Sequence, residues 1–226
     1  MTRLKQEVER LLARIVNQSP YSFFGDQIQT KFSRPHFQEV IDTFEKDFLR
    51  YYPDHNLEVD TFFLNIPLTG ILLYRISRNF YIRGNIKQAL FYSNLVRLLS
   101  QMEIYYTAEI GSGIKINHGF GVVIGANCKI GTNALIYQNI TIGDINPLSQ
   151  EKKTRPVIGN NIVLYTGAKI LGPVKIGDNV IISQNAVCTK SIENNRILME
   201  DGTVKTLKKY PETSIKDQNK IPTLKN

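Results

Sequence analysis

Of the three histidines in the chain, His36, His55 and His118, one stands where a reactant can reach it. His118 lies in Asn117-His118-Gly119-Phe120-Gly121, where two glycines keep the nearby backbone free of bulk. A neutral imidazole near pH 7 is suited to take the proton of a hydroxyl as that hydroxyl attacks a carbonyl carbon. A backbone N–H or a neighbouring donor must then hold the oxyanion that forms. His36, beside Pro35 at a helix start, and His55, in a polar turn, read as surface residues. Cys128 and Cys188 are the only cysteines, and both fall at inward positions of the pattern described below. They read as buried free thiols. No metal-ligand spacing occurs, so no metal is expected.

A formal net charge of +8 suits a phosphate-rich or otherwise anionic partner. The basic residues are scattered, with no aromatic-interleaved basic stripe, which argues against nucleic acid. The longest apolar run, Phe62 to Tyr74, is too short to span a bilayer, and the chain opens with no secretory signal. The expectation is a cytoplasmic protein with no integral membrane segment.

His118 has to be positioned by what surrounds it, and that is a repeat. Ile104, Ile110 and Ile116 keep a six-residue step, as do Ile124, Ile130, Ile136 and Ile142, and then Ile158, Leu164, Ile170, Ile176 and Ile182. Four residues after many of these anchors comes a small or β-branched residue: Ala108, Cys128, Ala134, Ile162, Ala168, Val174, Val180 and Ala186. This hexapeptide pattern predicts a parallel β-helix of about four triangular coils, with each anchor stacked on the one below. Gly after the anchor, and Asn at Asn127, Asn133, Asn160, Asn161 and Asn179, suit the corners. The step lengthens to eight residues between Ile116 and Ile124, which places His118 on a bulge. It lengthens to sixteen between Ile142 and Ile158, which forces a loop centred on residues 144–156 out of the wall.

The order IxIxHGxGVVIG, then IYQxITIG, a polar loop, and GAKILGPVKIGDNVxI resembles the serine acetyltransferase branch of the hexapeptide acyltransferases, over residues 60 to 190. The resemblance implies a left-handed β-helix, acetyl-CoA as donor, a hydroxyl as acceptor, and a homotrimer or dimer of trimers with active sites between subunits. It implies that His118 is the catalytic base, from the histidine of the family's DHG motif. Here Asn117 replaces the acid, so it can orient an imidazole without balancing its charge. In the projecting loop the family's RHP segment is Thr154-Arg155-Pro156. Arg155 is left to grip an acceptor carboxylate, and the loop histidine is missing. Asp54 falls near the place of an acidic residue that reaches serine from the family's helical domain. For the donor, the matching positions are Gly143, Tyr165, Gly167 and Ala168, with Lys190 as a phosphate contact.

Ahead of the repeat, helical periodicity predicts helices over residues 3–17, with Thr2 as N-cap, 35–52, 67–82 and 86–99. Behind it, Arg196 to Lys208 alternates about Asp201-Gly202 and predicts a hairpin; the Lys-rich end predicts a loose tail. The resulting fold class is α+β. It has an N-terminal helical domain (1–102), a left-handed parallel β-helix (103–192), and a C-terminal hairpin and tail (193–226). The altered acid and missing loop histidine favour a sugar hydroxyl in surface polysaccharide as acceptor, with L-serine as the second expectation.

Overall fold

The structure, a computed structural model, describes residues 2–18, 34–53, 64–145 and 155–207. Helices α1 (Thr2–Gln18), α2 (Arg34–Leu49), α3 (Ile66–Ile82) and α4 (Ile86–Ser100) precede a wall of short strands. Thr2, expected ahead of α1, is its first residue. Asn65 caps α3 by accepting from the Leu68 N–H, with Pro67 in the first turn, where its missing N–H costs nothing. Asn85 caps α4 in the same way, accepting from Gln88 N–H.

The wall contains β1 (Glu103–Ile104), β2 (Glu109–Ile110), β3 (Lys115–Ile116), β4 (Val123–Ile124), β5 (Lys129–Ile130), β6 (Leu135–Ile136) and β7 (Thr141–Gly143). It continues with β8 (Val157–Ile158), β9 (Val163–Leu164), β10 (Lys169–Leu171), β11 (Lys175–Ile176), β12 (Ile181–Ile182) and β13 (Val187–Cys188). Every third strand pairs in parallel, giving three sheets: β1-β4-β7-β10-β13, β2-β5-β8-β11, and β3-β6-β9-β12 continued by β14 (Arg196–Leu198) and β15 (Val204–Thr206). Register stacks like on like. Ile104 faces Ile124, Ile142 faces Ile170, and Ile170 faces Cys188, and all of these are buried. Burying one such side chain contributes roughly 1.5–3 kcal/mol, so the anchor ladder is the main source of the wall's stability. The small second register, from Ala108 to Ala186, is equally buried and fills the space between anchors.

The corner residues act for two different reasons. Asn133, Asn161, Asn179 and Asn195 hold positive φ and link side chain to side chain at 3.3, 3.0 and 2.9 Å, so the turns of successive coils are tied together. Asn160 does not share that backbone; it receives Thr132 N–H and joins Asp178 instead. Four of the glycines after the anchors, Gly111, Gly131, Gly159 and Gly177, serve close stacking and not a bend. A Cβ at Gly131 would lie 2.6 Å from Gly159 O, and one at Gly111 2.7 Å from Gly131 C.

The wall also runs further than the six-residue step shows. After Cys188 the next buried aliphatic comes four residues later, yet Ile192 bridges Ile176 and β14 pairs in parallel with β12. These add most of a fifth coil. The shortened step hides it from the periodicity, while the asparagine ladder carries on through Asn195. β15 then turns back antiparallel to β14 about Asp201-Gly202, which is the expected hairpin. The tail expected beyond it lies outside the described residues.

At the other end the first coil has no strand to pair with among the described residues, and side chains from the helical part take that place. From α3, Tyr74 Oη donates to Ala108 O at 2.7 Å, Arg75 to Ile110 O and to Gly111 O at 2.7 Å, and Arg78 to Thr107 O at 3.0 Å. From the end of α2, Arg50 donates to Gly113 O at 3.1 Å, and Asp47 accepts from Ile114 N–H at 2.9 Å. Asp47 also holds Arg75 at 2.9 Å in a buried ion pair. Burial raises the Asp47 carboxyl, opposed by the Arg75 guanidinium.

Candidate active site

Asn117 to Gly121 form the corner between β3 and β4, two residues longer than the equivalent corners. Gly119 N–H reaches back to Asn117 O at 2.8 Å, around His118 at a φ of 65°. A two-residue hydrogen bond centred on a non-glycine with positive φ is a rare and strained turn. The surroundings hold it from several sides. Asn117 N–H bonds Ile136 O at 2.7 Å, Gly121 N–H bonds Gln101 O at 3.3 Å, and Asn139 N–H bonds Phe120 O at 2.7 Å. Gly119 is wedged so tightly that a Cβ would sit 3.1 Å from Met102 Sδ and 3.3 Å from Pro67 Cγ. The result is an exposed imidazole on a fixed backbone. It makes no hydrogen bond to any described residue, and the Asn117 amide does not orient it as the sequence reading expected.

The projecting loop leaves from the next corner, between β7 and β8. Arg155 is there, and its Nη1 lies 2.6 Å from Asp144 Oδ2, with both side chains more than four-fifths buried. The guanidinium expected to be open for an acceptor thus already has a carboxylate at the loop's neck. Its Nε is buried with no partner among the described residues. Cys128 lies beneath this pair; burial pushes its thiol up to about 11, with the Arg155 charge pulling the other way. Asp54 and His55 lie outside the described residues, as does the side chain of His36.

The proposed donor positions separate by role. At Gly143 a side chain would meet nothing within 4 Å, so the backbone there is open to close approach. Tyr165 stacks on Tyr137 with ring centroids 5.4 Å apart, and burial raises its phenol. Gly167 answers to the corner column: at φ 74° a Cβ would strike Asn185 Oδ1 at 2.4 Å. The side chain of Ala168 is fully buried, and both its backbone groups are used inside the wall, by Tyr165 O and Thr141 N–H. The N–H groups of Gly167 and Ala168 are both bonded within the wall, to Gln138 O and Tyr165 O, while the Gly167 carbonyl accepts from Lys169 Nζ at 3.2 Å. Lys190 is exposed beyond β13, three strands along its sheet from the coil that follows His118.

One chain therefore does not assemble the whole set. His118 stands at the corner between the third and first sheets, and Arg155 and Gly143 at the corner between the first and second. Two residues were not legible as parts of this arrangement: Asp144, whose signal is a carboxylate directly after β7, and Tyr51, described below.

The profile "Bacterial transferase hexapeptide (six repeats)" matches residues 155–190. A serine acetyltransferase from Brucella abortus superposes with a TM-score of 0.71 at 19% identity, over 92% of this chain and 85% of that one. The chain shares its fold, a left-handed β-helix preceded by helices, with that protein. A serine acetyltransferase solved in complex with CoA is also similar to the hexapeptide-repeat chain, with a TM-score of 0.63, 20% identity, and 87% and 96% of the two chains covered. In sequence, the serine acetyltransferase of Synechocystis sp. is 40% identical over 76 residues, which are 34% of this chain and 30% of that protein. The hexapeptide-repeat chain matches about a third of the length of these curated relatives. The relatives named are serine acetyltransferases, so they back the second expectation, serine, over the first; polysaccharide synthesis finds no support in them. Among the described residues no helix is long and apolar enough to cross a membrane.

Proposed function

We propose that this chain is an acetyl-CoA-dependent O-acetyltransferase whose acceptor is the hydroxyl of L-serine. His118 takes the serine hydroxyl proton as the oxygen attacks the thioester carbonyl. The tetrahedral intermediate then expels the CoA thiolate, which recovers the proton from the imidazolium. The observation that carries this reading is the strained turn that holds an exposed imidazole, with no hydrogen-bond partner among the described residues, at the coil corner. The relatives named above supply the choice of serine.

The donor is read as lying along the wall, with its acyl end at the open backbone of Gly143 and Tyr165 alongside, and Lys190 toward the phosphates. Arg155 is read as sharing its guanidinium between Asp144 and the serine carboxylate. Because His118 and Arg155 occupy different corners, the complete site requires a second copy, and a trimer or a multiple of it closes that gap. Use of acetyl-CoA is in keeping with a cytoplasmic location.

Steady-state kinetics with L-serine and with a panel of oligosaccharides test the acceptor. A serine kcat/KM of about 10⁴ M⁻¹s⁻¹ or more, ordinary for an enzyme on its own substrate, is expected. A sugar hydroxyl acylated more efficiently than serine would overturn the assignment, and Asn117 in place of an acid would then be the residue to explain.

A further inference from the structure

Tyr51 follows the end of α2, and with Asp47 and Arg50 it falls on one helical face at spacings of three and four residues. Asp47 and Arg50 each engage one backbone group just ahead of β3, Ile114 N–H and Gly113 O, whereas the Tyr51 hydroxyl engages two groups of β3 itself. It donates to Ile116 O at 2.8 Å and accepts from Ile116 N–H at 2.6 Å. In a sheet, those two groups of one residue would be bonded by a neighbouring strand. β3 has β6 on one side and no strand among the described residues on the other, so a phenol oxygen fills that strand position. The ring that carries it stacks near Tyr52, with centroids 6.4 Å apart, and sits under the Lys115 ammonium at 5.2 Å. Burial pushes the phenol's pKa well above its ordinary value, so the hydroxyl stays a donor at any working pH.

Ile116 is the last residue before Asn117-His118, and the turn that follows is strained. Strained backbone persists only where neighbours over-determine it. Among the described residues, Tyr51 is the one side chain that bonds both polar groups of the residue entering that turn. We propose that Tyr51 is a positioning residue for His118, holding the strained turn in the conformation that presents the imidazole to the acceptor hydroxyl. This rests on the reading of His118 as the base.

Tyr51→Phe removes the oxygen and keeps the ring, its stacking and its contact with Lys115. The expected result with acetyl-CoA and L-serine is a kcat lower by about tenfold or more, since small misplacements of a catalytic group cost that much, with KM for acetyl-CoA unchanged. Independently of activity, the His118 Cε1–H resonance, assigned by its loss in His118→Ala, should shift and broaden in Tyr51→Phe. A variant with a lowered melting temperature but unchanged kcat and resonance would show a structural role only, and the proposal would fall. In the wild-type chain the Ile116 amide should resist hydrogen exchange although it lies on an edge strand; rapid exchange overturns the proposal even if Tyr51→Phe does not fold. Should His118→Ala keep its activity, the base assignment fails instead, and the resonance and exchange measurements still decide what Tyr51 holds.

Discussion

Arg155 Nη1 lies 2.6 Å from Asp144 Oδ2, and this ion pair joins the two ends of the loop that leaves the wall after β7. The pairing divides the duties of one guanidinium. A planar fork can keep one edge on Asp144 and offer another to a substrate carboxylate, which a lysine ammonium cannot do with fixed geometry. Arg155→Lys should therefore raise the KM for L-serine by about tenfold, equivalent to one charge-assisted hydrogen bond, and leave the KM for acetyl-CoA in place. Initial-rate kinetics with each substrate varied in turn check this; an unchanged serine KM would confine Arg155 to bracing the loop.

His118→Ala should lower the rate of acetyl transfer by roughly 10²- to 10⁴-fold, the usual range for loss of a general base. Because the imidazole is exposed and makes no hydrogen bond to a described residue, the fold and the dissociation constant for acetyl-CoA should hardly change. Calorimetric titration of acetyl-CoA alongside single-turnover assays separates the two effects.

Cys128 should be nearly inert to thiolate-directed reagents. With its thiol pushed from 9.0 to about 11, the reactive thiolate at pH 8 is about a hundredfold scarcer than in an ordinary cysteine, quite apart from burial. The folded state holds this proton more tightly than the unfolded state, so the linked stability is complete below pH 9. It is lost as pH rises from 9 toward 11. Mass spectrometry after timed labelling at pH 8, native and in denaturant, reads the contrast; equal native and denatured rates would contradict it.

Arg75→Ala should destabilise the chain by about 3–5 kcal/mol, because it leaves the Asp47 carboxylate buried without its counter-charge. It also strips donors from Ile110 O and Gly111 O. Urea unfolding should show a lower midpoint, and a shift under about 1 kcal/mol would mean that water enters and replaces the guanidinium.

The wall was readable from sequence because each anchor from Ile104 to Ile182 answers one local demand, an aliphatic side chain pointing inward at a fixed period. His118 was readable because it interrupts that period. The fifth coil was not, since the four-residue step from Cys188 to Ile192 breaks the count while the strand pairing survives. The seal on the first coil escaped for a different reason. Asp47, Arg50 and Arg75 lie on helices where charged residues usually face water, and nothing local distinguishes a charge aimed at a distant strand edge. Asp144 was passed over because its partner lies across a loop whose closure only the fold defines. The expectation that Asn117 orients the imidazole came from the family's DHG motif, in which the acid holds that place, but no hydrogen bond joins the two side chains here.

The row of side chains on the first coil also decides what the molecule does not do. A solenoid end with bare carbonyls and amides is a template on which the end of another solenoid can grow. Tyr74, Arg75, Arg78, Asp47, Arg50 and Tyr51 occupy that template group by group, so the chain has a closed beginning where the repeat alone has none. A fragment beginning at Glu103 would keep every anchor of the wall and lose that closure. Its fate would be end-to-end growth into fibres, because the helices that share its core are also its terminator.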